Sequence, residues 1–436
     1  MLPYTSLMRS TCFAFVALIA CGNNSAAPPD GGSDANEVDE PYNPDPPLPS
    51  WMDEAHVLVN GHDLENDYDC RDTICRHNEN TDMIQWNGSY WLVHRTARSQ
   101  VLGPNSAIHI YNSPDGIGFT QTALVQAPLD PDAGADADVD TDGRDLRDPH
   151  FYVVGNQLCI HAITRLPVSS TRDTGVDSIS VATCSSDGTS WSALTSIGPE
   201  TWSFWRVKEY QGVYYSAAYQ DGDLSVSLFS STDGMNWTQG AQVYGVSADT
   251  PLETELVFFP SGDLLAIVRT DLTDAVYLAS TGPISTRVCW AQPPYSSFDC
   301  PQTLDGVRPD GPLAFFWNQR LFVIARKHIL TDDLGRKRTA LYEIVPAASG
   351  DAGALDASAV DGGAESALDM QPLAITEWGE LPSAGDTSYA GYAMLDQNRA
   401  RVSWYSGDIY LDETWATAIF NLTDIWIGTI DFSRVH

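Results

Sequence analysis

Apolar residues in this chain come in short runs rather than long periodic stretches. From about residue 80 to 430, aromatic and β-branched side chains alternate with clusters of Gly, Asn and Asp. Runs of that kind read as β-strands separated by turns. No extended 3.6-residue periodicity appears, so the domain is predicted to be all-β. Residues 253–269 show the basic unit. An apolar run from Leu256 to Phe259 meets the turn Ser261-Gly262-Asp263, and a branched run from Leu264 to Val268 comes after it. At about 3.3 Å per residue, this hairpin returns Glu253 and Arg269 to the same end.

The unit recurs. Strand–turn–strand patterns surround Asn87-Gly88, Gly155-Asn156, Gln211-Gly212, Asn318-Gln319 and Gln397-Asn398, and Gly262 makes a sixth. The turns at 88, 155, 212, 262, 318 and 397 are 67, 57, 50, 56 and 79 residues apart. Setting aside the low-complexity inserts 130–145 and 347–369, which are expected to be disordered, leaves 51, 57, 50, 56 and 56. A period of roughly 50 residues with about four strands per unit predicts a six-bladed β-propeller of four-stranded antiparallel blades. Ser113-Pro-Asp115-Gly116, Ser185-Ser-Asp187-Gly188 and Ser231-Thr-Asp233-Gly234 are each followed three residues later by an aromatic (Phe119, Trp191 and Trp237). Asp and Gly suit a tight turn, and the aromatic can pack behind it. The lone strand His56-Val-Leu-Val-Asn60 is expected to close the ring beside 424–432.

Composition narrows the function. Hydrophobic content of 43% supports a large core, while a formal charge of −35 argues against nucleic acid as a partner. Among the basic residues only Lys208, Lys327 and Lys337 are lysines, and Arg is the better planar clamp for carboxylates. Arg9 and the apolar run from Phe13 to Ala20 form a targeting segment too short to span a bilayer. Leu18-Ile19-Ala20-Cys21 resembles a lipobox, which implies cleavage before Cys21 and lipidation of its thiol. The chain then divides into a lipoprotein signal peptide (1–21), a disordered linker (22–50) and the propeller (51–436). The expected location is the cell envelope, on the periplasmic side or the outer-membrane surface, with the membrane touched only through the lipid anchor. A monomer is expected.

Besides Cys12 and Cys21, six cysteines fall into near pairs, Cys70/Cys75, Cys159/Cys184 and Cys289/Cys300. An even count in an exported chain favours disulfides, although spacing alone does not set their connectivity. No Cys-x-x-Cys motif suggests structural zinc. No cofactor and no metal are expected at the site. The one calcium candidate is the acidic insert Asp136-x-Asp138-x-Asp140-x-Asp142-Gly143, half a calcium loop with Pro149 where the last ligand belongs.

In a meander blade, the start of the first strand and the end of the second lie on one face. The starts supply Asp82, Arg147, Asp148, Arg206, Glu253, Glu255, Arg308, Asp310, Tyr389 and Tyr392. The ends supply Arg95, Arg165, Tyr219, Arg269, Arg326 and Tyr405. An acidic protein thus gathers arginines, carboxylates and tyrosines at one central mouth. Such a mouth suits a ligand bearing a carboxylate and hydroxyls, with acid/base groups at hand.

Residues 76–430 resemble the sialidase superfamily of six-bladed propellers. Glu253, Gly262-x-Leu264 and Arg269 have the order of its fourth-blade element, and the Ser-x-Asp-Gly repeats resemble its Asp-box turns. Ser388-Tyr389-Ala-Gly-Tyr392 with Tyr405 resembles the sixth-blade tyrosine element. The resemblance implies that Tyr389 is the nucleophile and Glu253 its base, with Tyr392 the competing nucleophile. It also implies that Arg269 and Arg326 bind a substrate carboxylate, with Arg336 and Arg338 as rivals for the latter role. Arg147, Asp148, Arg308 and Arg95 complete the expected substrate-binding set. The family's blade-one acid has no counterpart between Arg95 and Ile108, so Asp82 is assigned the acid/base role. Arg147-Asp148-Pro149 also occurs in five-bladed arabinanase-type glycosidases, where three carboxylates act together; Asp82, Asp148 and Glu253 could be read that way. The expected activity is exo-hydrolysis of terminal acidic sugars from glycans or glycoconjugates. The alternative is a non-catalytic propeller that binds glycan or protein.

Overall fold

The computed structural model describes residues 44–64, 70–101, 103, 105–129, 143–166, 177–220, 224–271, 285–330, 335–347, 368 and 370–435. Cys21, most of the linker and Asp136 to Asp142 of the acidic insert lie outside the described residues. The chain divides into residues 1–42 and a unit spanning 43–436, and all six blades belong to the second.

The sheets are the six predicted blades. Blade 1 contains β2 (His77–Trp86), β3 (Ser89–Ala97), β4 (Ala107–Ser113) and β5 (Thr120–Gln126). Blade 2 contains β6 (Asp145–Val154), β7 (Gln157–Arg165), β8 (Ile179–Ser185) and β9 (Thr195–Ser196). In blade 3 the inner strand is broken: β10 (Trp202–Phe204) and β11 (Lys208–Tyr210) both pair with β12 (Val213–Gln220), which leads to β13 (Ser225–Ser231) and β14 (Thr238–Tyr244). Blade 4 is β15 (Pro251–Phe258), β16 (Leu264–Thr270), β17 (Ser285–Ala291) and β18 (Asp299–Asp305). Blade 5 is β19 (Asp310–Trp317), β20 (Arg320–His328), β21 (Lys337–Pro346) and β22 (Leu373–Glu380). Blade 6 joins β23 (Thr387–Met394), β24 (Arg399–Ser406) and β25 (Asp424–Asp431) to β1 (Met52–Val59).

The closing strand pairs with β25 as expected, Val57 opposite Trp426 and His56 opposite Ile427. It starts earlier than its sequence pattern suggests, at Met52, and Asn60 instead caps a short helical turn by accepting from the His62 N–H. The insert 130–145 also ends earlier than its composition suggests. Leu129 bridges Gly143, Arg144 donates to Thr164, and Asp145 already belongs to β6.

Each apolar cluster fills one seam between neighbouring blades, so the six clusters run round the closed ring. The three Ser-x-Asp-Gly turns fold alike. The Ser hydroxyl accepts from the Gly N–H, and the Asp carboxylate accepts from the N–H two residues on. Gly188 rests on Trp91 of the preceding blade, where a Cβ would lie 1.9 Å from the indole. The disulfides Cys70–Cys75, Cys159–Cys184 and Cys289–Cys300 all form.

The inner strands are irregular near the mouth. Register breaks occur between Glu79 and Asp82, Arg147 and His150, Pro251 and Thr254, Asp310 and Leu313, and Ser388 and Gly391. Asn80, Asp148, Gly311, Ser388 and Tyr389 take positive φ there. Bulges re-aim side chains, and strained non-glycine residues persist only where their surroundings fix them.

Candidate active site

Five bulges and the break in blade 3 re-aim inner-strand side chains, and of the expected mouth residues Glu253, Arg269, Tyr389, Arg326, Arg147 and Asp148 come together. On β15, Glu253 meets Arg269 from the end of β16. The guanidinium donates to both Glu253 oxygens at 2.8 and 2.6 Å. Its remaining edge donates to Asp271 at 2.8 and 3.0 Å, and Asp310 lies 3.2 Å away. The anticipated Glu253–Arg269 pair therefore forms, buried rather than exposed on a surface hairpin.

Tyr389 comes to the same carboxylate from blade 6. Its hydroxyl donates to Glu253 Oε1 at 2.5 Å, and Arg269 Nη1 lies 3.5 Å from the phenol oxygen. Burial and the Glu253 charge push the phenol well above its usual pKa, against the pull of Arg269 and Arg326. Tyr389 is thus a neutral phenol whose proton already points at a base. Arg326 sits 5.1 Å from the centre of its ring and donates to Tyr405, Asp386 and the Thr387 carbonyl. Gly311 makes room for the ring, since a Cβ there would lie 1.9 Å from Tyr389 Cδ1. Tyr392, the competing nucleophile, instead stacks on Phe315 at 4.0 Å.

Blades 1 and 2 contribute the acidic side. Arg95 donates to Asp145 through Nε and Nη2 and to Glu79 through Nη1. Burial opposes ionisation of Glu79, but Arg95, His77 and Arg147 outweigh it and hold its pKa near 2. Arg147 is the most open guanidinium of the group at 14% side-chain exposure, with Glu79 at 3.5 Å and Asp148 at 3.9 Å. Asp148 accepts from Asn80 Nδ2 at 2.5 Å. Burial lifts its pKa to about 6; Arg147 opposes the rise, and Glu253 and Glu79 reinforce it.

Asp82 does not join this group. It accepts from Arg206 at 2.7 Å and from the Phe151 N–H at 2.8 Å. Burial alone would raise its pKa, but Arg206, His150 and the Phe151 N–H hold it well below the usual carboxylate range. It lines a cavity of about 370 Å³ with Met83, Phe151, Arg206, Leu313 and Tyr392. The break in blade 3 supplies Trp205, which packs edge-on against Tyr389 at 5.5 Å and donates to the Pro312 carbonyl. The register break between Glu79 and Asp82 explains why the sequence order misleads: it resets which residues share a face.

Arg308 is present but engaged, donating to Asp310 at 2.7 and 2.8 Å with Asp271 at 3.2 Å. Arg336 and Arg338 lie away from this cluster and pair with Asp412. Sequence reasoning misses Glu79, Asp145, Asp271 and Asp386, whose only signal is that each precedes or begins an inner strand or comes just after a second one. It also misses Lys337, beside His328 and behind Arg308. Burial, with Arg308, Arg326 and Arg269, lowers the Lys337 pKa to about 7 despite Asp310. The half-buried indole of Trp415 donates to Asp386 at 3.0 Å.

No protein-family model and no curated protein matches the sequence. Solved structures do match in fold. The Hadza microbial sialidase Hz136 shares 13% identity over 88% of this chain and 69% of its own, at a TM-score of 0.55. Trypanosoma rangeli sialidase in complex with sialic acid shares 11% identity over 88% of this chain and 59% of its own, at 0.57. Penicillium chrysogenum α-L-arabinanase complexed with arabinobiose shares 14% identity over 87% of this chain and 98% of its own, at 0.52. The chain therefore has a sialidase-like six-bladed propeller fold.

Proposed function

We propose that the chain is a retaining exo-glycosidase of sialidase type that removes terminal acidic sugars from glycans or glycoconjugates. The observation that carries this reading is the 2.5 Å hydrogen bond from the Tyr389 hydroxyl to Glu253. A phenol is a weak nucleophile until a base takes its proton. In the first step Tyr389 Oη bonds to the anomeric carbon while its proton passes to Glu253. Protonated Asp148 gives its proton to the departing glycosidic oxygen. In the second step Asp148 takes a proton from water, which attacks the anomeric carbon, and the released Tyr389 oxygen recovers its proton from Glu253. Two successive displacements at one carbon retain its configuration. Asp148 takes the acid/base role in place of Asp82 because its raised pKa suits a general acid, whereas Asp82 is held as a paired carboxylate. Arg147, Arg269 and Arg326 supply the positive field for a sugar carboxylate.

The lipobox-like Leu18 to Cys21 puts the enzyme, in this reading, on a lipid anchor in the cell envelope. Purified protein assayed on fluorogenic acidic and neutral glycosides is expected to cleave the acidic ones, and Glu253→Gln to lower kcat by about 10²–10⁴-fold. Inertness toward the whole panel would overturn it. One observation favours a second reading, a non-catalytic glycan-binding propeller. Arg269, Arg308 and Arg326 already carry ion pairs, so a ligand carboxylate must share them. Glycan-array binding without turnover, lost in Arg147→Ala, would select that reading.

A further inference from the structure

His77, Glu79 and Asp386 bring one imidazole and two carboxylates together at the seam between blades 6 and 1. All three are buried, and their ligand atoms lie within 4.8 Å of one another. His77 and Glu79 stand on β2, while Asp386 immediately precedes β23.

Each residue spends one polar atom elsewhere and leaves another within the 4.8 Å cluster. His77 Nδ1 lies 2.7 Å from the Asn421 carbonyl, which can only accept, so Nδ1 carries a proton and Nε2 faces the carboxylates. Glu79 Oε1 takes Arg95 and Arg147, leaving Oε2 at 3.4 Å from His77 Nε2. Asp386 Oδ1 takes Arg326, Tyr405 and Trp415. Its Oδ2 has no hydrogen-bond partner, is fully buried, and lies 3.9 Å from His77 Nε2. A buried oxygen without a donor is costly unless a cation satisfies it.

We propose that these three residues bind a divalent cation of the zinc class, which pins the first blade to the last behind the arginines of the mouth. Tetrahedral zinc takes imidazole and carboxylate ligands at about 2.0–2.2 Å, which sets neighbouring ligand atoms roughly 3.3–3.5 Å apart. The His77–Glu79 separation meets that spacing, and the His77–Asp386 separation needs a closure of a few tenths of an ångström. A ring nitrogen donating to a backbone carbonyl is the usual outer support of a metal-bound histidine. Other donors already hold the second oxygen of each carboxylate, so both would bind through one oxygen. Nothing in the sequence marks the site, because the residues come from opposite ends of the propeller and lack a ligand spacing motif.

The test uses the whole purified chain, equilibrated with Zn²⁺ and dialysed exhaustively, with metal measured by mass spectrometry and zinc-edge X-ray absorption. The expected result is about one retained zinc per chain, with a spectrum of one imidazole and oxygen ligands at about 2.0–2.1 Å. His77→Gln and Asp386→Asn are each expected to lower retained zinc at least tenfold while Glu253→Gln leaves it unchanged. Retention below a tenth of an equivalent in wild type would overturn the site, as would a spectrum lacking imidazole. If either variant fails to fold, the wild-type spectrum decides. The measurement is independent of glycosidase activity.

Discussion

In the proposed mechanism Asp148 serves opposing demands. Its backbone is held at a φ of +52°, and burial keeps its carboxyl protonated to about pH 6. An acid whose folded pKa is raised stabilises the fold only while protonated. That contribution is present below the unfolded value, about 3.9, and is lost as pH rises through about 6. Asp148→Asn is therefore expected to raise Tm at pH 8 by about 2 °C while lowering kcat by about 10²–10⁴-fold. Differential scanning calorimetry at pH 4 and pH 8 checks the first part, since the gain should vanish at pH 4. In the wild type, kcat is expected to fall as pH rises past about 6, because the acid must be protonated to act. An activity rising through that range would remove Asp148 from the acid role. The trade of stability for chemistry fits a strained, desolvated carboxyl better than it fits an ordinary ion pair.

The bulged inner strand is the element that builds the mouth. A regular strand would alternate its side chains between two seams; the register breaks free residues such as Tyr389 and Asp148 to face the axis. Gly311 shows how closely β19 and β23 depend on each other. A Cβ at that position would overlap the Tyr389 ring, and its φ of +58° disfavours any side chain. Gly311→Ala is expected to displace Tyr389 and lower kcat/KM by about 10²-fold, with far-UV circular dichroism unchanged. Unchanged kinetics would mean that the ring's position does not matter to the reaction. The turns, the alternation and the blade-four and blade-six elements are legible in the sequence because turn residues and apolar alternation are local signals. The bulges are not, and for that reason Asp82 reads as a mouth residue while Glu79 and Asp386 do not stand out. Their partners, Arg95 and Arg326, come from the neighbouring strand and from the preceding blade respectively. No local spacing encodes such meetings.

At the scale of the whole molecule, ring closure is what holds the arginines and carboxylates together. β1 supplies the outer strand of blade 6, and its Glu54 pairs with Arg401. Removing residues 44–60 should expose the edge of β25 and open the seam lined by Trp404 and Trp426. The expected outcome is loss of cooperative thermal unfolding, measured by calorimetry; a truncated chain that melts like the full one would contradict closure by this strand. Two disulfides act within blades: Cys159–Cys184 links directly paired β7 and β8, and Cys289–Cys300 links β17 and β18, whereas Cys70–Cys75 closes the segment that leads into β2. Replacing Cys159 and Cys184 by Ser should cost about 3 kcal/mol, read as a lower denaturation midpoint with the site chemistry retained. Above all, the closed ring brings Tyr389 to Glu253, the meeting on which the proposed covalent step rests. Intact-protein and peptide mass spectrometry after incubation with an activated, fluorinated sugar acid probes that step without intermediaries. One added sugar is expected on the peptide carrying Tyr389, absent in Tyr389→Phe. Turnover of a glycoside by Tyr389→Phe at the wild-type rate, or a label on any other residue, would contradict a tyrosine nucleophile at this position.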